Sequence, residues 1–403
     1  MAALQSILVY PLAFVIVLSV VVFVHEYGHF RVARWCGVAI ETFSIGFGKT
    51  IFGWRDRKGV QWKVGMLPLG GYVKFADDAD AMSTGPREPI EDPEELARAR
   101  ERGLFHAQPV LKRAAVVAAG PLTNFVFSIF AFAVVAFSLG HDVTDVDRVP
   151  ARIAAVQAHS AAAAAGLREG DVIVSADGRA TPNFKSLQGV IAGATGRAIT
   201  LRIQRGAETL SLTATPTPRA SGDDQGHRAG QGMLGVTGPL ALQTERVIIR
   251  YNPFEAAAAG AQRTWDMIAQ TGAYIVDVFR GRASANQIAG PTGIFMVSGQ
   301  VATSALEGPD DSGAPGGRAG LLALSLLSLA AILSVAVGIV NLLPIPILDG
   351  GHLLFYVIEA LRGGRPLPPA AQEWAYRAGF AVMASLFLFA TWNDISRLLP
   401  GMR

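Results

Sequence analysis

Cysteine is almost missing from this chain of 403 residues. Cys36 stands alone, which excludes an intrachain disulfide and leaves any bound transition metal to histidine and carboxylate donors. Charge is scarce too. Charged residues make up 17% and hydrophobic residues 51%, and the mean hydropathy is +0.34. That balance is too apolar for an ordinary water-soluble protein and suits several bilayer spans. Nor is there a block of one sign. The 35 Lys and Arg face 32 Asp and Glu for a net charge of +3, and the basic residues form no stripe, so nucleic acid is not an expected partner despite a pI near 9.1.

What is present in quantity is the long uncharged run. Four occur, over residues 6–24, 114–140, 321–348 and 378–393, against the roughly 20 residues that a span needs, so the last is short. The first lacks Lys or Arg before it and a small-residue cleavage pattern after it, and is read as a retained span. No basic residue lies in residues 1–30, whereas Arg31, Arg34 and Lys49 follow the first run and Lys112 and Arg113 precede the second. Residues 31–113 are therefore expected in the cytoplasm and 141–320 outside, with both termini extracytoplasmic.

At the end of the first run stands His25-Glu26-Tyr27-Gly28-His29. Two histidines four apart share one helix face, so both imidazoles can meet a single Zn2+. Glu26 beside them is then the general base that takes a proton from the water the metal activates. The third run ends in Asn341-Leu342-Leu343-Pro344-Ile345-Pro346-Ile347-Leu348-Asp349-Gly350-Gly351-His352. Its prolines break the helix and put a carboxylate at bilayer depth, where it needs a partner. The first and third spans run in the same direction, so Asp349 shares a leaflet with His25 and His29, and two His with one carboxylate make a catalytic zinc site with an open position. His352 is a less favoured alternative ligand.

Between these motifs the pattern changes twice. Residues 41–75 alternate apolar and polar residues around Gly59 and Gly65, as strands and tight turns do. The last piece, Gly70-Gly71-Tyr72-Val73-Lys74-Phe75, is either part of a hairpin capping the membrane face or a sheet edge that takes an unwound substrate as an added strand. Residues 76–103 are acidic and polar with Pro86, Pro89 and Pro93, and read as a mobile loop with at most one short helix, over 93–102. Gly120-Pro121-Leu122-Thr123-Asn124 lies in the second span, where packing against the first span is the preferred account of the Gly and Asn, ahead of substrate contact. After His141, strands, short helices and Gly turns follow one another. The order, with Ala165-Gly166-Leu167-x-x-Gly170-Asp171-x-Ile173 before Asp177-Gly178, resembles a PDZ domain of the bacterial protease type, which binds peptide ends or strands. Residues 216–232 and 308–317 read as flexible joints. Residues 254–279 have the spacing of an amphipathic helix lying on the membrane surface or against the PDZ unit.

Taken together, the His25 to His29 motif, Gly70 to Lys74, Gly120 to Asn124, the PDZ-like unit, Gly290-Pro291-Thr292-Gly293-Ile294 and Asn341 to Gly351 resemble, in order, the bacterial site-2 proteases of the RseP type. That resemblance implies a polytopic α-helical membrane protein with four transmembrane helices, a membrane-associated β-hairpin region and an inserted extracytoplasmic PDZ domain. The expected segments are 1–35 (first helix with the zinc motif), 36–112 (hairpin region and polar loop), 113–140 (second helix) and 150–217 (PDZ). They continue with 218–318 (linker and amphipathic helix), 319–361 (third helix with Asp-Gly-Gly) and 374–396 (fourth helix). It implies a zinc endopeptidase of the bacterial inner membrane that cuts transmembrane segments, typically of anti-sigma factors or signal-peptide remnants, in contact with lipid. Asn341 and the strand Gly70, Gly71, Tyr72, Val73 and Lys74 would then touch substrate. Larger relatives carry tandem PDZ domains, and here one is found. The competing classes are a non-catalytic PDZ scaffold, which leaves Glu26 without a purpose, and a metal transporter, for which the other spans offer no ladder of polar residues.

Overall fold

The computed structural model describes residues 2–77, 90, 92–142, 145, 148–218, 230–238, 247–282, 290–307 and 314–398. Much of the acidic, proline-containing stretch after residue 77 and of both expected joints lies outside the described residues. Two compact units make up the chain: Met1–Leu139 with Arg250–Arg403, and the inserted Gly140–Ile249.

The first unit opens with α1, Ala2–Trp35. Its apolar run supplies a candidate span over Ile7–Trp35, and His25, 18 residues past Ile7, sits about 27 Å along the axis at 1.5 Å per residue. Gly37, with φ of 78°, ends the helix while the Val38 amide donates to the Ala33 carbonyl at 2.9 Å, as in a Schellman cap.

Strands β1, Ile40–Arg55, and β2, Gln61–Phe75, follow. Both strands bend, so residues 42–45 pair with 71–74 on one side and with 61–64 on the other, while 50–55 pair with 61–65. Among the described residues no strand covers the outer edge of 71–75. Phe30, Phe43 and Val73 form the core that joins this ribbon to α1.

Helix α2, Pro93–Glu101, is capped by the Asp92 side chain. Helix α3, Val110–Leu139, is the central element of the unit, packed by α1 and by three later helices.

In the inserted unit the strands β3 (His141–Asp142), β4 (Ala155–Val156), β5 (Val172–Ala176), β6 (Arg179–Ala180), β7 (Ile199–Arg205), β8 (Glu208–Ala214), β9 (Thr217–Pro218), β10 (Gly232–Met233), β11 (Val236–Thr237) and β12 (Ile248–Ile249) surround two short helices, α4 (Ala161–Ala164) and α5 (Phe184–Ala192). The main sheet has the order β6-β5-β7-β8 and is antiparallel throughout. Ile199, Leu201 and Ile203 of β7 are fully buried with Ile173 and Leu187, and the residues between them face out, the period-two pattern of a half-buried strand. Strand β3 pairs with β12, so the segments where the chain enters and leaves the unit lie side by side.

The first unit resumes with α6, Pro253–Phe279, then α7, Pro291–Glu307, α8, Gly317–Asn341, α9, Asp349–Leu361, and α10, Pro369–Leu398. Helices α1, α3, α8 and α10 are long and apolar enough to cross a membrane. Two differences from the sequence reading have physical causes. The segment 319–361, expected as one third helix, is divided where its prolines place the break: α8 stops at Asn341, and residues 342–348 turn around Pro344 and Pro346 before α9 begins; neither proline can donate to the helix ladder. Helix α6, expected on the membrane surface or against the PDZ unit, packs along α3 and α8. The contact uses small residues: Ala256, Gly260 and Thr264 are buried one turn apart, and a Cβ on Gly260 would stand 2.4 Å from the Ile129 carbonyl oxygen. Bulky-residue periodicity does not register such a face.

In the inserted unit Asp171 is 1% exposed and ion-paired to Arg205 at 2.8 Å. Burial alone would raise its carboxyl, but Arg205 and the Arg168 amide hold it below the usual carboxylate range. A carboxyl depressed on folding contributes stability above its unfolded value, about 3.9, and loses it as pH falls through the folded value. Thermal unfolding of this unit in the full chain should therefore weaken with acidification below about pH 4 more steeply than in Asp171→Asn. Parallel pH profiles would remove this pair from the unit's stability.

Candidate metal centre

Helix α1 presents His25 and His29 to α3 and α9, with their Nε2 atoms 3.2 Å apart. Asp349 opens α9, and its Oδ2 lies 3.3 Å from His25 Nε2 and 3.6 Å from His29 Nε2. All three side chains are mostly covered, at 11, 12 and 17% exposure. Asp349 Oδ2 is buried without a hydrogen-bond partner, although two imidazoles face it. Tetrahedral donors held at about 2.0–2.1 Å from Zn2+ lie about 3.3 Å from one another. The observed triangle has that size, so a cation fits these donors and would relieve the orphaned carboxylate oxygen. Among the described residues this is the one group of three such donors placed to hold a metal ion.

Local sequence explains how the donors meet. Asp349 is delivered by the 342–348 turn, which lies so close on the start of α9 that a Cβ on Gly350 would come 2.3 Å from the Leu342 and Leu343 carbonyl oxygens, and one on Gly351 2.3 Å from that of Ile345. The glycine pair after the aspartate is thus a packing requirement. Partly buried Arg113 of α3 pairs with buried Glu359 and stacks over Tyr356, tying the far end of α9 to α3. On α3, a Cβ at Gly120 would stand 2.3 Å from His29 Nε2 and 2.8 Å from His25 Cε1. The space at the imidazoles exists because that residue has no side chain.

A cavity of about 450 Å3 adjoins the donors, and Glu26, Gly70, Gly71, Tyr72, Val73, Asn341 and His352 line it. Gly71 brings the strand against Glu26, since a Cβ there would be 2.8 Å from Glu26 Cγ. Lys74 is not among the residues lining the cavity; it pairs with Glu41 at 2.8 Å. The Asn341 amide donates to the Val337 carbonyl of its own helix at 3.1 Å. His352 is not in the donor triangle and packs against the rings of Phe355 and Tyr376.

Two contacts on the far sides of the rings were not named from the sequence, although an Asn at bilayer depth is expected to find a partner on another helix. His29 Nδ1 lies 2.9 Å from the Val116 carbonyl oxygen, and Asn124 Nδ2 lies 3.2 Å from His25 Nδ1. The one-turn spacing of Gly120 and Asn124 was the available signal, and it was read mainly as helix packing. That reading holds, since Gly120 and Asn124 both face the first span at His25 and His29, and the Asn124 carbonyl also accepts from Ser128 and from Ser334 of α8.

Residues 13–386 match the model of peptidase family M50. The chain belongs to this family. Metalloprotease MmpA of Caulobacter vibrioides is 40% identical over 94% of each chain, and an Agrobacterium fabrum protein that bears the name of a zinc metalloprotease is 39% identical over 99% of each. The regulator of sigma-E protease RseP of Salmonella typhimurium is 30% identical over 96% of this chain and 98% of its own. That alignment extends over 477 positions against 403 residues here, so the Salmonella protein holds additional segments. The M50 chain described here is a zinc metalloprotease, and it carries the four apolar helices of an integral membrane protein.

Gly120→Ala tests the space at the imidazoles. It should abolish stoichiometric zinc in detergent-purified protein while a small-to-small change elsewhere on α3, such as Ser128→Ala, leaves zinc in place; full zinc occupancy in Gly120→Ala would contradict the packing described.

Proposed function

We propose that the protein is an intramembrane endopeptidase of the bacterial inner membrane that hydrolyses peptide bonds within transmembrane segments, in regulated proteolysis of anti-sigma factors or removal of signal-peptide remnants. The observation that carries this reading is the placement of the donor triangle, Glu26 and the uncovered strand edge around one cavity among four apolar helices. His25, His29 and Asp349 hold Zn2+, which when bound supplies Lewis-acid activation of water. Glu26 takes the proton of the attacking water and returns it to the leaving amine, the work of a carboxylate beside the reacting atoms.

A helix in the bilayer hides its carbonyls in its own hydrogen bonds, so cleavage requires local unwinding, and the freed backbone groups must be paired at once. Residues 70–75 supply donors and acceptors along their outer edge, and the substrate adds there as a β-strand. Asn341 exchanges its bond to Val337 for one to a substrate carbonyl. The inserted unit is assigned as a single extracytoplasmic PDZ domain that binds peptide ends or strands, with both termini of the chain on that same side of the membrane. Its Asp177-Gly178 hairpin, with both φ values positive, agrees with the sequence signature.

Glu26→Gln should retain the fold and zinc but lose cleavage of a model transmembrane substrate by at least about a hundredfold. Activity within a few-fold of the parent would remove Glu26 from the chemistry. Strand addition is tested separately. Val73→Pro, which removes a backbone donor from the 70–75 strand, should cut turnover far more than zinc content, and helix-breaking residues in the substrate span should speed cleavage. Normal rates in both arms, with folding intact, would exclude strand addition.

A further inference from the structure

The geometry points to Asn124 as the residue that positions His25 for the metal, its amide oxygen accepting the imidazole Nδ1 proton; this rests on the reading that His25, His29 and Asp349 hold Zn2+. Both histidines direct Nε2 into the donor triangle and Nδ1 away from it, toward α3. An imidazole that gives its Nε2 lone pair to a cation keeps its one proton on Nδ1, and that proton needs an acceptor. His29 has one in the Val116 carbonyl oxygen. Among the described residues, the one contact of His25 Nδ1 is Asn124, at 3.2 Å.

In the present arrangement Asn124 turns its NH2 toward Nδ1, and its Oδ1 is buried without a partner. That orientation suits a ring protonated on Nε2, where Asp349 can accept. Once a cation occupies the triangle, two donors would oppose one another across this contact. A half turn of the amide about Cβ–Cγ brings Oδ1 to Nδ1–H. One buried amide atom lacks a protein partner in either orientation, so the match at His25 decides between them. The side chain is free to make this turn without disturbing the α3–α8 packing, because Ser128 and Ser334 bond to the Asn124 backbone oxygen and not to its amide. Gly120 and Asn124, one turn apart on α3, thus act on the same pair of rings: one leaves the space, the other sets the tautomer. Outer partners of this kind orient ligating histidines, and their loss commonly weakens metal binding about 10–100-fold.

The test measures zinc dissociation constants by chelator competition in detergent for the parent, Asn124→Leu and Asn124→Asp, with apo-protein melting as a check on folding. Leu keeps approximate volume but accepts nothing; Asp accepts but cannot donate. Asn124→Leu should bind zinc about 10–100-fold more weakly than the parent, and Asn124→Asp at least as tightly as the parent. The proposal is overturned if Leu lies within threefold of the parent, or if Asp is weakened as much as Leu, which would make the NH2 the group that matters. A second measurement needs no substitution. The cobalt(II)-loaded parent should show two slowly exchanging, strongly shifted imidazole N–H proton signals, one for each Nδ1. One signal alone, with metal bound, would overturn the role of Asn124 while leaving the zinc site standing; failure of the parent to bind zinc or cobalt at all would instead defeat the reading of the donor triangle.

Discussion

The close crossing of α1 and α3 at the two imidazoles is the constraint on which the rest of the site depends. Gly28 of α1 leaves room for the Ala119 carbonyl and Thr123 of α3, and Gly120 of α3 leaves room for His25 and His29. Close packing of this kind, through small residues, is how helices associate where lipid removes the hydrophobic drive between them. Here it has a chemical consequence. The same approach that buries the rings opens the space beside their nitrogens and brings a carbonyl and an amide of α3 to their far sides.

A second constraint is that backbone polar groups inside an apolar layer must be paired. Beside the cavity the unit breaks regular structure to a chemical end. Residues 342–348 leave helical geometry, and the result is that Asp349 starts a new helix at the imidazoles instead of continuing past them. The ribbon of β1 and β2 spends most of its backbone on itself, and among the described residues the outer edge of 71–75 is left uncovered beside the cavity. Metal donors, base and open edge are held by regular elements on every side, which gives the precision that hydrolytic chemistry requires.

Much of this was legible in the sequence because the signals are local. Two histidines four apart, a charge-free run of 19 residues, alternating strands and Asp-Gly turns depend on helix and strand periods that are fixed by covalent geometry. Helix α6 shows the limit. Its bulky apolar residues suggested a membrane-surface face, while the packed face is the weaker stripe of Ala256, Gly260 and Thr264. Hydropathy weighs side-chain size, whereas helix contact here depends on its absence. The run through residues 321–348 was similarly continuous in hydropathy, though its prolines marked the break that the fold makes.

By itself the sequence determined the chemistry on offer: nitrogen and oxygen donors without thiolate, a carboxylate beside the histidine pair, and apolar segments long enough to cross a bilayer. Only the tertiary structure decided that Asp349 Oδ2 completes a triangle with two Nε2 atoms 324 and 320 positions away, that Gly120 is the space between α3 and those rings, and that Asn124 faces His25. The reason is that these are contacts between separate helices, set by which small residues let the helices approach and at what height. Local periodicity carries no information about a partner hundreds of residues distant, so the donors could be named from the chain but their meeting required the fold.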